Sequence, residues 1–197
     1  MTATFGERVR AQLREELIDA AAGMVVDGGW QQLRMQAIAE RVGVSRRTVY
    51  NEFGTKARLA EALIMRVTER FLDDVHAVLV ATPDLTTSWH DAVHCALRAA
   101  DEDPLLGTVL AGVDSAEFLP LLTSEGGAVI ERATHRLTRA ARERWPDLPE
   151  RPTRLAAEAT VRLTLSHIVR PGAGIERAAT DIAELATGYL RSADPGA

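Results

Sequence analysis

The chain has 197 residues, 46% hydrophobic and 26% charged, with a net charge of −5. That length buries a substantial core, and the mixture is an ordinary soluble globular one, which excludes disorder away from the ends. No apolar run approaches the roughly 20 residues that span a bilayer, and the charged N-terminus lacks the h-region of a signal peptide, so a cytoplasmic chain with no membrane partner is expected.

Helical periodicity dominates from end to end, and no run sustains the alternation of a strand, so the expected fold class is all-α. Val9, Leu13, Leu17, Ala20, Ala21 and Met24 recur every three or four residues and predict a first helix from about Glu7 to Val26, ended by Gly28 and Gly29. Trp30 and Leu33 follow, placed to plug a small core between the first three helices. Next comes the most informative stretch, MQAIAERVGVSRRTVYNEFGTK at residues 35–56. Ile38, Ala39, Val42, Val44 and Val49 are apolar or small, whereas Gln36, Glu40, Arg41, Arg46 and Arg47 face outward. Gly43 stands where a positive φ closes the second helix, and Ser45 is an N-cap for the third. The pattern predicts an N-terminal three-helix DNA-binding domain with a helix-turn-helix, over residues 1–54.

A fourth, connector helix is expected over 55–81, capped by Thr55 and striped by Leu59, Leu63, Val67, Phe71, Val75 and Leu79. Pro83 and the polar run at 86–88 break it. Residues 82–197 then form a C-terminal helical domain, with helices expected at about 87–101, 104–112, 115–123, 125–145, 151–169 and 174–191. The last two carry a broad apolar surface: Leu155, Ala159, Val161, Leu163, Leu165 and Ile168 on one, Ile175, Ala178, Ile182, Leu185, Ala186, Tyr189 and Leu190 on the other. Two such helices can pair with their copies in a four-helix homodimer interface, or fold into a core within the chain.

Charge is unevenly distributed. Residues 1–70 hold 11 Lys and Arg against 9 Asp and Glu, and the remainder 12 against 19, so only the N-terminal segment offers a surface for phosphates. A recognition helix presents its N-terminal residues to base edges in the major groove. Arg46, Arg47 and Thr48 lie there. Either arginine can pair bidentately with a guanine while the other serves phosphates, and Thr48 can meet a thymine methyl. Ser45, Asn51 and Arg34 join the DNA-contacting candidates, with Arg34 standing just before the second helix.

Residues 38–45, IAERVGVS, with 48–56, TVYNEFGTK, and Leu59 follow a known signature closely, and over about Leu13 to Leu63 the chain resembles the tetracycline-repressor (TetR) family of bacterial transcriptional regulators. The resemblance implies that Tyr50 and Lys56 contact phosphates. One departure is visible, since such proteins usually place Thr or Ser before the second helix, where this chain has Leu33 and Arg34. The resemblance also implies an effector pocket enclosed by the fourth to eighth helices. Trp89, Val93, Leu97, Leu110, Phe118, Leu119, Leu122, Leu163 and His167 are its candidate lining, mostly apolar and suited to a hydrophobic small-molecule effector, although such a stripe also describes a core.

His90 and His94, at i and i+4 with Asp91 and Cys95 beside them, have the spacing of a metal pair but no accompanying HExxH or cysteine cluster, so no metal and no cofactor are expected. Lone Cys95 has no resolving thiol. No GxSxG elbow, phosphate-binding glycine loop or carboxylate pair supports an enzyme. The expected function is a sequence-specific DNA-binding regulator, a dimeric repressor released from a palindromic double-stranded operator by its effector. The alternatives are a helical interaction module that does not bind DNA and, last in order, an enzyme.

Overall fold

In the computed structural model the described residues are 4–105, 127–172 and 174–193, and among them every regular element is helical. These are α1 (Phe5–Gly28), a 3-10 turn (Trp30–Gln32), α2 (Met35–Val42), α3 (Arg46–Phe53), α4 (Lys56–Ala81), α5 (Leu85–Glu102), α6 (Gly127–Arg144), α7 (Glu150–Val169) and α8 (Ile175–Ser192). The helices expected at 104–112 and 115–123 lie outside the described residues from 106 onward.

The described residues divide into two compact units, one comprising 4–66 with 104–105, the other 67–103, 127–172 and 174–193. The division falls between Arg66 and Val67, inside α4. In the first unit, α1 starts with a capping box in which Thr4 accepts from the Glu7 amide and the Glu7 carboxylate accepts from the Thr4 amide. Its inward face is Leu17, Ile18, Ala21 and Val25, all buried. Val9, expected on that face, is 50% exposed, since the buried stripe of α1 begins only at Leu17. Trp30 and Leu33 plug the centre with Met35, Ile38, Ala39, Val49, Phe53, Leu59, Ala60 and Leu63. Each fully buried Leu or Val there contributes about 1.5–3 kcal/mol relative to exposure. On the surface, Arg66 of α4 reaches Glu15 (3.2 Å) and Asp19 (2.7 Å) of α1.

The core of the second unit gathers Leu79, Trp89, Val93 and Leu97 with an alanine-rich set from α6, α7 and α8, including Ala140, Ala141, Ala156, Ala157, Ala179 and Ala183. Small side chains let these helices approach closely. Three of the buried threonines are tolerated because the hydroxyl bonds a carbonyl one turn back, Thr153 to Pro149, Thr160 to Ala156 and Thr187 to Ala183, whereas the buried Thr134 hydroxyl has no partner among the described residues. The start of α5 lies earlier than the polar run at 86–88 suggests. Asp84 is its N-cap, accepting from the amide and hydroxyl of Thr87, and these contacts hold its carboxyl below the usual range. Ser88 is buried and donates to the Leu79 carbonyl. Arg136 of α6 bridges Glu69 (3.2 Å) and Asp73 (2.5 Å) of α4.

On α7 and α8 the broad apolar surface separates into two stripes. Ala156, Thr160 and Thr164 face inward, as do Ala178, Ile182, Ala186 and Leu190. One residue out of step, Leu155 (53% exposed), Ala159 and Leu163 face outward on α7, and Leu185 (65% exposed), Gly188 and Tyr189 on α8. Val161, Ile168 and Ile175 pack at the edge of the core.

Candidate nucleic-acid interface

The turn between α2 and α3 is set by two residues. Gly43 has φ 78° and ψ 28°, the left-handed conformation, and its amide bonds the Glu40 carbonyl while Val44 bonds that of Ala39. A β-carbon at Gly43 would meet nothing within 4 Å, so the requirement for glycine lies in the backbone. Ser45 then caps α3, its hydroxyl accepting from the Thr48 amide (3.1 Å) and lying 2.8 Å from the Thr48 hydroxyl. With Val49 and Phe53 buried, Arg46, Arg47, Tyr50 and Asn51 are left exposed along one side of a short helix.

Arg46 donates to the Tyr50 hydroxyl (3.3 Å), and its guanidinium lies 5.1 Å from the centre of that ring. Arg34 is exposed and occupies the N-cap position of α2 without a side-chain capping bond, as its identity requires. Lys56 is half-buried. Its ammonium donates to the Trp30 carbonyl (2.9 Å) and sits 4.6 Å from the Trp30 ring centre, so it stitches α4 to the 3-10 turn. Thr55 accepts from the Arg58 amide at the start of that helix.

The sequence gives no local sign of Glu52. On the flank of α3 it accepts from Arg10 (3.0 Å) and Arg14 (2.9 Å) of α1, and Arg14 also lies over the Phe53 ring. Burial raises the Glu52 carboxyl, but the bonds from Arg14 and Arg10 outweigh it and hold the group below its ordinary value. The partners are 42 and 38 residues away in sequence, which hides the contact from any windowed pattern.

The described members of the expected effector lining do not share one surface. Trp89, Val93 and Leu97 are buried in the packed core, and the Trp89 indole donates to the Thr160 hydroxyl (2.9 Å). Leu163 points the other way, on the outward stripe of α7 and 37% exposed, because it lies one residue off the inward Ala156, Thr160, Thr164 row. His167 is half-buried. Leu110, Phe118, Leu119 and Leu122 lie outside the described residues. His90 and His94 both turn Nε2 toward Glu176 of α8, at 3.3 and 3.4 Å, and among the described residues no group of three His, Cys, Asp or Glu is placed to hold a metal ion. Burial, and secondarily Asp74, push the Cys95 thiol up, away from thiolate chemistry. No helix among the described residues is long and apolar enough to cross a membrane.

Two short helices crossing over a shared core, joined through a left-handed glycine and a serine cap, with arginines bared on the second, define a helix-turn-helix DNA-binding transcriptional regulator. The sequence profile of bacterial regulatory proteins of the tetR family matches residues 17–63, and that of the bacterial tetracyclin repressor C-terminal domain matches residues 84–188. The chain belongs to the TetR family. It is 31% identical over 189 residues to the HTH-type transcriptional regulator AlkX of Mycobacterium tuberculosis (strain ATCC 25618 / H37Rv), covering 94% of this chain and 88% of that protein. It is 28% identical over 148 residues to the nucleoid occlusion factor SlmA of Alteromonas mediterranea, 75% of each chain. Among solved structures, the TetR-family repressor AlkX from Dietzia sp. strain DQ12-45-1b, implicated in biodegradation of n-alkanes, superposes with a TM-score of 0.78 at 28% identity, over 90% of this chain and 97% of that one. The repressor QsdR of R. erythropolis shares the fold, with a TM-score of 0.70 at 19% identity over 90% and 95% of the two chains.

Proposed function

We propose that the protein is a dimeric repressor that binds a palindromic or near-palindromic operator and leaves it when a small hydrophobic molecule occupies its C-terminal domain. The observation that carries this reading is α3, a helix with its apolar residues buried and Arg46, Arg47, Tyr50 and Asn51 bared. Residues 1–54 act as the DNA-binding unit, α4 as the connector, and residues 82–197 as the effector-binding and dimerising part. Arg34, at the N-cap of α2, and Lys56, in the first turn of α4, add phosphate contacts, where the helix N-terminus favours an anion.

One eight-residue helix covers too few base pairs for operator-level specificity. A two-fold dimer doubles the contact and sets its recognition helices about 34–36 Å or more apart, to meet successive major grooves. The outward stripes on α7 and α8 supply an apolar face for such pairing: large side chains at Leu155, Leu163, Leu185 and Tyr189, with Ala159 and Gly188 small enough for close approach. The relative implicated in n-alkane biodegradation supports a linear aliphatic molecule as the effector class. Coupling requires that this molecule bind the DNA-free state more tightly than the DNA-bound one.

Selection from random oligonucleotides, followed by titration of the complex with n-alkanes, n-alkanols and fatty acids, tests the proposal. A palindromic consensus, with release by one of these classes, is the expected result. No sequence preference would remove the operator reading, and a consensus bound with equal affinity in the presence of every aliphatic class would remove the effector.

A further inference from the structure

The bared side chains of α3 fall into two neighbouring rows, and the structure treats the rows differently. Positions four apart stack along one face of a helix, which pairs Arg46 with Tyr50 and Arg47 with Asn51. In the first row the guanidinium of Arg46 bonds the Tyr50 hydroxyl at 3.3 Å and covers its ring at 5.1 Å, so the two side chains form one unit. Thr48, between the rows, lies against the Ser45 hydroxyl at 2.8 Å and is occupied with the cap. In the second row the side chains of Arg47 and Asn51 are exposed and engage no described residue by hydrogen bond, ion pair or ring contact.

That difference matches two kinds of DNA contact. Reading a base edge demands the whole donor fork or amide, held in the plane of the base pair, and a side chain already committed elsewhere must first be released. Contact with a phosphate demands only charge and a donor, which an arginine resting on a tyrosine still offers. Resting on the DNA-binding reading above, the geometry points to a division of labour: Arg47 reads a guanine through O6 and N7, Asn51 reads an adenine through N6 and N7, and Arg46 with Tyr50 grips the backbone as a unit.

The test is selection from random oligonucleotides with the wild-type chain and the variants Arg47→Ala, Asn51→Ala, Arg46→Ala and Tyr50→Phe, followed by affinities at several salt concentrations. Thermal melting checks each fold, and all four positions are exposed. Arg47→Ala is expected to lose preference at the guanine, a discrimination of about 10- to 100-fold, while keeping the adenine. Asn51→Ala does the reverse. Arg46→Ala weakens operator and unrelated DNA by the same factor and lowers the salt slope by about one, and Tyr50→Phe weakens both equally. If Arg46→Ala relaxes a base position, or if Arg47→Ala and Asn51→Ala leave the consensus unchanged, the division is wrong although the protein remains a sequence-specific regulator. A wild-type chain that selects no sequence overturns the regulator reading itself, and the division with it.

Discussion

Ser45 and Gly43 each hold the recognition turn by a single backbone requirement, and their substitutions separate those requirements. Ser45→Ala removes the acceptor for the Thr48 amide and is expected to cost about 1 kcal/mol of unfolding free energy in urea. Gly43→Asn is tolerated better than Gly43→Val, since a β-carbon there meets no neighbour and the left-handed backbone discriminates between the two, by about 1–2 kcal/mol. Glu52 gives a pH signature. Its carboxyl is held below its unfolded value, so its contribution is fully present above the ordinary Glu pKa of about 4.3 and is lost as pH falls through the lowered folded value. Glu52→Gln is therefore expected to destabilise at neutral pH by on the order of 1 kcal/mol, with the difference from wild type shrinking in melts below about pH 4. Lys56→Ala is expected to lose stability along with DNA affinity, because its ammonium is bonded to the Trp30 carbonyl in the protein alone. An unchanged melting temperature would show that bond to be idle.

At the scale of elements, what could be read from the sequence was what is encoded locally. The α2 and α3 boundaries follow from Gly43, Ser45 and a 3.6-residue apolar period within about 20 residues, and the chain folds there as those signals direct. Pro83 beside Asp84 reads as a break and hides the cap, so the start expected at about 87 falls two residues late. The C-terminal helices were legible as apolar but not as sided. A single helix with Leu155, Ala156, Ala159, Thr160 and Leu163 shows one wide surface, and only the packing of Ala156 and Thr160 against the core separates inward from outward. The same limit applies to Trp89, whose indole needs the Thr160 hydroxyl on another helix to be buried without loss. Trp89→Phe removes that bond while keeping most of the volume, and is expected to cost about 1 kcal/mol in urea unfolding. A larger loss would mean that the ring's packing also changes.

For the whole molecule, the proposed dimer makes stability depend on concentration. If the outward stripes of α7 and α8 pair, the melting temperature rises with protein concentration, and Leu185→Glu, which places a charge on a residue 65% exposed in the isolated chain, abolishes that rise with little effect on the monomer fold. Light scattering then reports monomers, and operator affinity falls far more than affinity for a single half-site. The core is untouched by such a change, because the inward stripe uses different residues of the same helices. This separation reaches beyond one chain. When paralogous regulators share a cell and a fold, each must recognise its own copy and reject the others, and discrimination of that kind is a difference of affinities. If the outward stripes pair copies, a face that can be rewritten at Leu155, Ala159, Leu163, Leu185, Gly188 and Tyr189 without disturbing a single buried side chain lets duplicated copies diverge into mutually blind pairs while each continues to fold.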